Sequence, residues 1–200
     1  MPASRWCSGK RKPGNCQSVD SLSLRSYDAF QMEPVLRAAT LADAQFLFDL
    51  RTDPDVAAAS NSALPPSLAE HTAWLALALE SPDVKPFIVE DEGMLVIRSN
   101  DLEYSSTPPR ILPIGQCRLD LIDYGRSAEV SIALIRPARG HGIGTAALKV
   151  LALAAADLGI RWLEAVIKET NHASRKAFFK AGYSVEEIKD GIVHMGYKCG

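Results

Sequence analysis

A glycine-rich run, "RGHGIGT", constrains this chain more than any other stretch. It follows alternating apolar residues (Val130, Ile132 and Leu134) that indicate a strand, and it precedes an Ala/Leu-rich segment that indicates a helix from Ile143. Glycines remove side chains from such a loop, and bare N–H groups at a helix start bind anions with help from the helix dipole. The run therefore predicts a site for a phosphate-bearing ligand, and Arg139 adds a charge that pairs with phosphate.

Two better-known phosphate loops fit this run less well. A Walker loop carries Lys after its last glycine, whereas here Thr145 follows Gly144. Gly140, Gly142 and Gly144 alternate, and Ala147 stands where the last small residue of a dinucleotide-binding fingerprint falls, so this loop type fits only in part. The plain alternative is a tight turn that admits a buried helix.

The order of the segments around the loop is more specific than the loop itself. They read "EVSIALI", "RGHGIGTAALKVLALAAADLG", "WLEAVIKETN", "HASRKAFFKAGY" and "GIVHMGYK". This succession of strand, Arg-x-x-Gly-x-Gly loop, helix, strand and Asn-led helix resembles the GCN5-related N-acetyltransferase family over roughly residues 33–198. Arg136 departs from the family, which often has Pro there. The resemblance implies a mixed α/β fold with a central, mostly antiparallel, splayed sheet flanked by helices.

The resemblance also implies acetyl-CoA as co-substrate, with no metal. The pyrophosphate is expected at the glycine loop, and the pantetheine arm along the end of the preceding strand, which splays from the strand near Leu163–Val166. Asn171 is expected to lie near the cofactor and to cap its own helix. The residues expected to bind acetyl-CoA are Leu134, Ile135, Arg136, Arg139, Gly140, His141, Gly142, Ile143, Gly144, Thr145, Asn171, Ser174 and Phe178.

Glu129 is the candidate general base for amine acetylation. On the predicted strand its side chain is on the face opposite to that of Ala128 and Val130, and on the same face as Ser131. The family often places a carboxylate near this position. The plain alternative is a solvent-facing Glu on an ordinary strand. His71 is a rival base, although a His at such a helix position is also typical of a surface or lid residue.

The general acid is not identified by the sequence. Many family members carry Tyr seven residues after the helix-leading Asn, and here that residue is Phe178, which cannot donate a proton. Water, Ser131 or Tyr183 would then take the role. Tyr183 falls where the family usually has a core Phe, which favours packing as its task.

The N-terminal third carries the features expected to bind the acceptor. The segments "LRTDPDVAAASNSALPPSLAEHTAWLALALE" and "PIGQCRLDL" look like those of a subgroup that acetylates nucleotide-linked amino sugars. The residues expected to bind the acceptor are Arg51, Asn61, His71, Trp74, Gln116 and Arg118. His71 and Trp74 are neighbours on one helix face, and the two arginines suit a diphosphate. The plain alternative places Trp74 in the core and Arg51 at the surface.

Two other functions remain open from the sequence. One is an acetyltransferase for a protein N-terminus or an antibiotic amine, and the other is a CoA-binding module that no longer catalyses. A peptide acceptor favours an open groove, whereas a sugar nucleotide favours a basic, aromatic pocket. Convergence of Arg51, Trp74 and Arg118 would distinguish the two acceptors, and Phe178 alone supports the non-catalytic module.

Composition excludes few classes. The 200 residues, 47% of them apolar, suit one domain with a sizeable core. The net charge of −2 gives no reason to expect a nucleic-acid or membrane partner, and no apolar run reaches membrane-spanning length. Four Cys without metal-ligand spacing favour reduced thiols and a cytoplasmic location. The family resemblance makes a homodimer a reasonable expectation.

The first 31 residues differ from the rest of the chain. They contain six Ser and the basic cluster Lys10-Arg11-Lys12, carry a charge of +3, and lack the apolar stretch of a secretory signal. We expect residues 1–31 to be a disordered or non-native extension before an acetyltransferase domain spanning 32–200. Met32 is then the expected start, or the preceding segment plays no part in catalysis.

The pattern from Glu33 onward predicts alternating strands and helices. Thr40 with Asp43, and Ser67 with Glu70, are expected to cap helices, and Gly182 to end the last one. A turn is expected at Asp53-Pro54, and residues 94–111 read as an expanded hairpin. The expected strands lie near Pro34–Ala39, Pro86–Glu90, Leu112–Ile122, Ala128–Ile135 and Ile192–Lys198.

Overall fold

The computed structural model describes residues 34–60, 67–91 and 111–200. Its strands are β1 (Val35–Ala38), β2 (Val84–Asp91), β3 (Leu112–Ile122), β4 (Ser127–Leu134), β5 (Trp162–Lys168), β6 (Ser184–Lys189) and β7 (Ile192–Lys198). Its helices are α1 (Ala44–Thr52), α2 (Pro54–Ala59), α3 (Leu68–Glu80), α4 (Ile143–Asp157) and α5 (His172–Ala181). The strands form one sheet in the order β1-β2-β3-β4-β5-β7-β6.

Every neighbouring pair in the sheet is antiparallel except β4 and β5. In the described ranges these two parallel strands pair only from Ser127–Glu129 to Trp162–Glu164. β4 continues to Leu134 and β5 to Lys168, so the two strands separate beyond Glu129. The expected mixed α/β fold with a mostly antiparallel, splayed sheet is confirmed.

The two faces of the sheet carry different side chains on β4, apolar on one face and polar on the other. Ala128 and Val130 of β4 are buried in one core with Leu148 and Leu151 of α4, since successive side chains of a strand point to opposite faces. The other face of β4 carries Glu129 and Ser131. α1 and α3 pack over β2 and β3 on that second face, where Leu47, Leu75 and Ile88 form a smaller core.

A network of ion pairs joins the residue before α1 to the edge strand β1 and to its neighbour β2. The carboxylate of Asp43 accepts hydrogen bonds from the backbone N–H and hydroxyl of Thr40 and from both terminal nitrogens of Arg37, which also reaches Glu90. Arg37 lowers the pKa of Asp43 to about 2. The network therefore stabilises the fold above the ordinary Asp pKa and is lost as pH falls toward about 2.

The predicted helix ends agree with the structure, with one addition. Ser67 and Glu70 form the expected capping box of α3, and Gly182 ends α5 with φ of 105°. After Asp53, where a turn was expected, the chain continues as the short helix α2. The Asp53 carboxylate accepts from the N–H groups of Asp55 and Val56, which starts that helix.

Three predictions fall outside the described residues: the extension at 1–31, the contact of Asn61, and the body of the expanded hairpin at 94–111. β2 and β3, which flank that hairpin, are antiparallel neighbours. The described elements belong to one compact unit, and a domain boundary near Met32 stays a prediction. No helix within the described ranges is long and apolar enough to cross a membrane.

Candidate active site

The glycine loop presents bare backbone before α4. Gly140 and Gly142 adopt φ of 80° and 85°, a left-handed conformation that residues with a Cβ rarely take. Apart from each glycine and its two chain neighbours, no described atom lies within 4 Å of where a Cβ at either position would stand. The glycines are therefore required by the backbone path and keep the space above the loop open.

The first turn of α4 has free donors. The helical ladder begins with the N–H of Ala146, which donates to the carbonyl of Gly142 at 3.0 Å, and Gly142 provides no side-chain cap. The N–H groups of Ile143, Gly144 and Thr145 precede that ladder and have no partner within the helix. The Ile143 side chain is buried, so this residue offers only its backbone to a ligand.

Arg139 is anchored by two carboxylates. Its Nε donates to the carbonyl of Leu134 at 2.8 Å, Nη1 to Asp55 at 2.7 Å and Nη2 to Asp53 at 2.9 Å. Arg136 also donates to Asp55, at 2.9 Å. Arg139 thus ties the loop to the start of α2 and lowers the pKa of Asp53. Direct pairing of Arg139 with phosphate stays a prediction.

The end of β4 offers fewer free backbone groups than expected. The N–H of Ile135 donates to Ile114 on β3 and its carbonyl accepts from Ala138, so both of its backbone groups are engaged. Successive residues direct these groups to opposite sides of a strand, so Leu134 and Ile132 direct theirs toward the opening beside β5. The carbonyl of Leu134 already accepts from Arg139. The backbone suited to hold an extended arm is therefore the N–H of Leu134 and the groups of Ile132, whereas Ile135 contributes none.

α5 contributes a capped N-terminus and a core aromatic. Asn171 accepts from the N–H of Ser174 at 3.1 Å, which confirms its capping role. Phe178 is only 2% exposed and lies edge-on against Tyr183, with ring centroids 4.8 Å apart. The helix thus turns this side chain into the core, and a contact of Phe178 with the cofactor stays a prediction. Contacts of Asn171 and Ser174 with a cofactor stay predictions.

Glu129 is the middle one of three acidic residues at paired positions of neighbouring strands. It pairs with Asp120 on β3 and with Glu164 on β5, so three carboxylates stand side by side across the sheet. Burial raises the pKa of Glu129, and the charges of Asp120 and Glu164 raise it further. Arg118 and His194 act in the opposite direction. Glu129 is half-buried, unlike the solvent-facing Glu of the plain alternative.

The two hydroxyls considered as general acid lie on opposite faces of the sheet. Tyr183 is 2% exposed among core aromatics, and burial raises its pKa. Ser131 lies on the face of Glu129, and its buried Oγ has no hydrogen-bond partner in the described part of the chain. Tyr183 therefore packs in the core, as its sequence position favoured, and a role of Ser131 as general acid stays a prediction.

Three predicted acceptor residues are in contact through their rings and a guanidinium, and the charge of a fourth acts on one of them. Arg51 lies close enough to His71 for its charge to act on that imidazole. The rings of His71 and Trp74 are 5.5 Å apart, and the guanidinium of Arg118 lies 5.3 Å from the centre of the Trp74 ring. Arg118 also pairs with Asp120 at 2.8 Å, which links this series to the neighbour of Glu129. We call these four residues, Arg51, His71, Trp74 and Arg118, the acceptor series.

His71 is buried rather than at a surface or in a lid. His71, Leu75 and Ala78 are the buried residues of α3, which packs this face against α1. Burial lowers the pKa of His71, and the charge of Arg51 lowers it further. Gln116 lies on the same strand face as Arg118, two residues before it, and is half-buried.

The sequence did not identify Asp53, Asp55, Asp120 and Glu164 as members of the site. The Asp-Pro-Asp string carried a signal, because Asp before Pro commonly caps a helix. The other two acids became relevant only through cross-strand register. In the described ranges, no group of three or more His, Cys, Asp or Glu residues has an arrangement that holds a metal ion.

Known proteins share this fold. The solved spermidine N-acetyltransferase of Vibrio cholerae, in complex with CoA and spermine, superposes with a TM-score of 0.67 at 17% identity, over 84% of this chain and 96% of that one. A phosphinothricin acetyltransferase of Sinorhizobium meliloti, in complex with acetyl-CoA, gives 0.65 at 23% identity, over 84% and 90%.

One relative matches more closely over a shorter stretch. A Bacillus subtilis protein whose provisional name is phosphinothricin acetyltransferase is 39% identical over 75 residues. That match spans 38% of this chain and 46%, about half, of the relative's length. The family model for the acetyltransferase (GNAT) domain matches residues 35–184, from β1 to the first residue of β6. The chain therefore belongs to the GNAT acetyltransferase family.

Proposed function

We propose that this chain transfers the acetyl group of acetyl-CoA to a primary amine of a small molecule, with Glu129 as general base. One observation carries the proposal: Glu129 is the last residue of β4 that pairs with β5. The opening between the strands begins there and runs toward the bare first turn of α4. This arrangement supports a cofactor whose phosphates bind at the loop after β4 while its acetyl group lies near Glu129, whose pKa is raised by burial.

The loop residues fit a pyrophosphate. The open space above Gly140 and Gly142 and the unpaired donors of Ile143, Gly144 and Thr145 are what a phosphate oxygen requires. Acetyl-CoA supplies an activated acetyl group. The N–H groups of β4 that face the opening are the expected donors to the pantetheine arm and to the carbonyl oxygen in the transition state.

The side chains near the opening would carry out the proton transfers of the reaction. An amine attacks only in its neutral form, so a base must remove one proton, and the raised pKa of Glu129 brings its basicity closer to neutral pH. The carboxylates of Asp120 and Glu164 also favour the approach of an ammonium group. Ser131, or water beside it, would return a proton to the departing thiolate.

The acceptor we propose first is a nucleotide-linked amino sugar. The acceptor series supports it, because Arg118 lies over the Trp74 ring, that ring contacts His71, and the charge of Arg51 acts on His71. An aromatic ring with two arginines nearby suits a sugar joined to a diphosphate. A second candidate is a phosphinothricin-like amino acid, and the 39% identity to the Bacillus subtilis relative favours it. An antibiotic amine, a protein N-terminus and a non-catalytic CoA-binding module are the remaining alternatives. A cytoplasmic location and a homodimer also stay proposals.

Thiol release from acetyl-CoA tests these assignments. The enzyme would be supplied in turn with a UDP-linked amino sugar, phosphinothricin, an aminoglycoside and an N-terminal peptide, with Glu129→Gln as the catalytic control. Release with only the sugar nucleotide supports the first acceptor, and release with only phosphinothricin replaces it by the second. Release with the peptide or the aminoglycoside alone contradicts both. Tight CoA binding without release from any acceptor supports the non-catalytic module.

A further inference from the structure

Two buried nitrogen atoms in the acceptor series have no hydrogen-bond partner in the described part of the chain. They are Nη1 of Arg51 and Nε2 of His71. Burying such a group without a partner is unfavourable, and native proteins leave few of them unpaired. A pair of them on two neighbouring helices therefore points to a ligand that completes the site.

The geometry restricts what that ligand offers. His71 is only 6% exposed and lies between Phe48 and Trp74, with ring centroids 6.1 and 5.5 Å away. A guanidinium nitrogen only donates hydrogen bonds, so the partner of Arg51 must be an acceptor, and a charged acceptor gives the stronger bond. With its proton on Nε2, His71 is a second donor, and Arg51 and His71 are then together suited to an anionic oxygen.

The carboxylates beyond Arg118, the other end of the acceptor series, carry the reverse charge. Asp120, Glu129 and Glu164 stand side by side on β3, β4 and β5. Arg118 is paired with Asp120 and lies over Trp74, so Arg118 is already largely compensated. The acceptor series therefore runs from Arg51, which has no ion pair among the described residues, to Arg118, beyond which carboxylates outnumber cations.

We infer that Arg51 and His71 bind an anionic group carried by the same molecule whose amine is acetylated. The acceptor class is then a primary amine that also bears a carboxylate, phosphinate or phosphate. Its amine faces the carboxylates and its anionic group faces Arg51. This inference rests on the proposed function and excludes purely cationic polyamines as preferred acceptors.

Paired acceptors test the inference. Phosphinothricin and a UDP-linked amino sugar represent the two sources of the anionic group. L-methionine with L-methioninamide removes a carboxylate while keeping the amine, and spermidine carries amines alone. We expect a higher kcat/KM for the anionic member of each comparison, and a loss of roughly ten- to hundred-fold for anionic acceptors in Arg51→Gln. KM for acetyl-CoA and kcat/KM for the amide should change little.

Two variants keep the result interpretable. Arg161→Gln removes an exposed arginine outside the acceptor series and should preserve the discrimination. Arg51→Lys retains the charge but loses the planar donor geometry, so its effect should fall between wild type and Arg51→Gln. Because Nη1 of Arg51 has no partner among the described residues, Arg51→Gln should keep or raise the unfolding temperature.

The outcomes separate the inference from the function on which it rests. Acetyl transfer that is equally fast to amide, polyamine and anionic amines overturns the inference and leaves the function intact. An equal loss for anionic and neutral acceptors in Arg51→Gln overturns it as well. If no acceptor is acetylated, the proposed function fails, and calorimetric binding of phosphinothricin against spermidine decides the inference. Equal affinities there, or no binding of either, overturn it.

Discussion

The glycine loop before α4 presents backbone to a ligand, whereas the acceptor series presents side chains from two helices and a strand. In the loop, Gly140 and Gly142 turn a short stretch of chain into a row of donors. In the acceptor series, Arg51, His71 and Arg118 act only because folding brings them together. The loop is a local construction, and the acceptor series is a tertiary one.

A site made of backbone groups and a site made of side chains should respond differently to substitution. A backbone site fails when a Cβ is added, because the conformation itself does the binding. A side-chain site can change its ligand by single substitutions without disturbing the fold. The following predictions test this contrast, from the largest expected effect to the smallest.

Glu129→Gln should affect the chemistry that joins the two regions. Removing the base should lower kcat by roughly a hundred- to ten-thousand-fold. Affinity for acetyl-CoA, measured by calorimetry, should stay unchanged, because the loop donors are untouched. A variant that keeps wild-type kcat and pH profile would remove Glu129 from the mechanism.

Gly142→Ala should weaken the backbone site. A Cβ in the left-handed conformation costs about 1–2 kcal/mol, which corresponds to roughly ten-fold in acetyl-CoA affinity if the loop must hold this shape to bind. Gly159→Ala is the matched control, because Gly159 has φ of 81° with no described atom within 4 Å of its would-be Cβ, but follows the far end of α4. Both variants should lose stability, and only the first should lose affinity. Equal affinities would show that the loop shape does not matter for the cofactor.

Asp120→Asn should shift the pH dependence. A neighbouring negative charge raises the pKa of Glu129, so its removal should lower that pKa and move the acid limb of kcat/KM to lower pH. Glu164→Gln should act in the same direction. Asp157→Asn, at the exposed end of α4, serves as a control that leaves the profile in place. A shift to higher pH in Asp120→Asn would contradict the assignment of Glu129.

Asp55→Asn should have the smallest effect. This exposed carboxylate binds both Arg136 and Arg139, and such ion pairs contribute little to stability. Its loss should change the unfolding temperature only slightly and should tighten acetyl-CoA binding by about two- to five-fold, because Arg139 becomes freer for phosphate. Weaker binding would instead show that the ion pair holds the loop in its productive shape.

Local patterns predicted most of the fold. Alternation located β4, capping residues located α3, and Gly182 located the end of α5, because each signal lies within a few residues. β6 gave no such signal, since all its residues are exposed at the sheet edge and none alternates. The start of α2 was read as a turn because a short helix has almost no periodicity.

Site features formed by residues close together in the sequence were predictable, whereas those formed by distant residues were not. Glycine spacing indicated the loop, and the family resemblance indicated Glu129. The ion pairs of Arg139 with Asp53 and Asp55 join positions more than eighty residues apart, and no pattern along the chain relates them. The unpaired nitrogens of Arg51 and His71 likewise appear only when burial is known.

The point at which β4 and β5 part has a consequence for how such an enzyme diversifies. Glu129 is the last residue of β4 that pairs with β5, so the register of the sheet, rather than any loop, sets the distance between the proposed base and the opening between the strands. Segments that join the strands and helices around Glu129 can then lengthen or change composition without moving it. On the proposed function, the position of the base and the choice of acceptor can therefore change independently of each other.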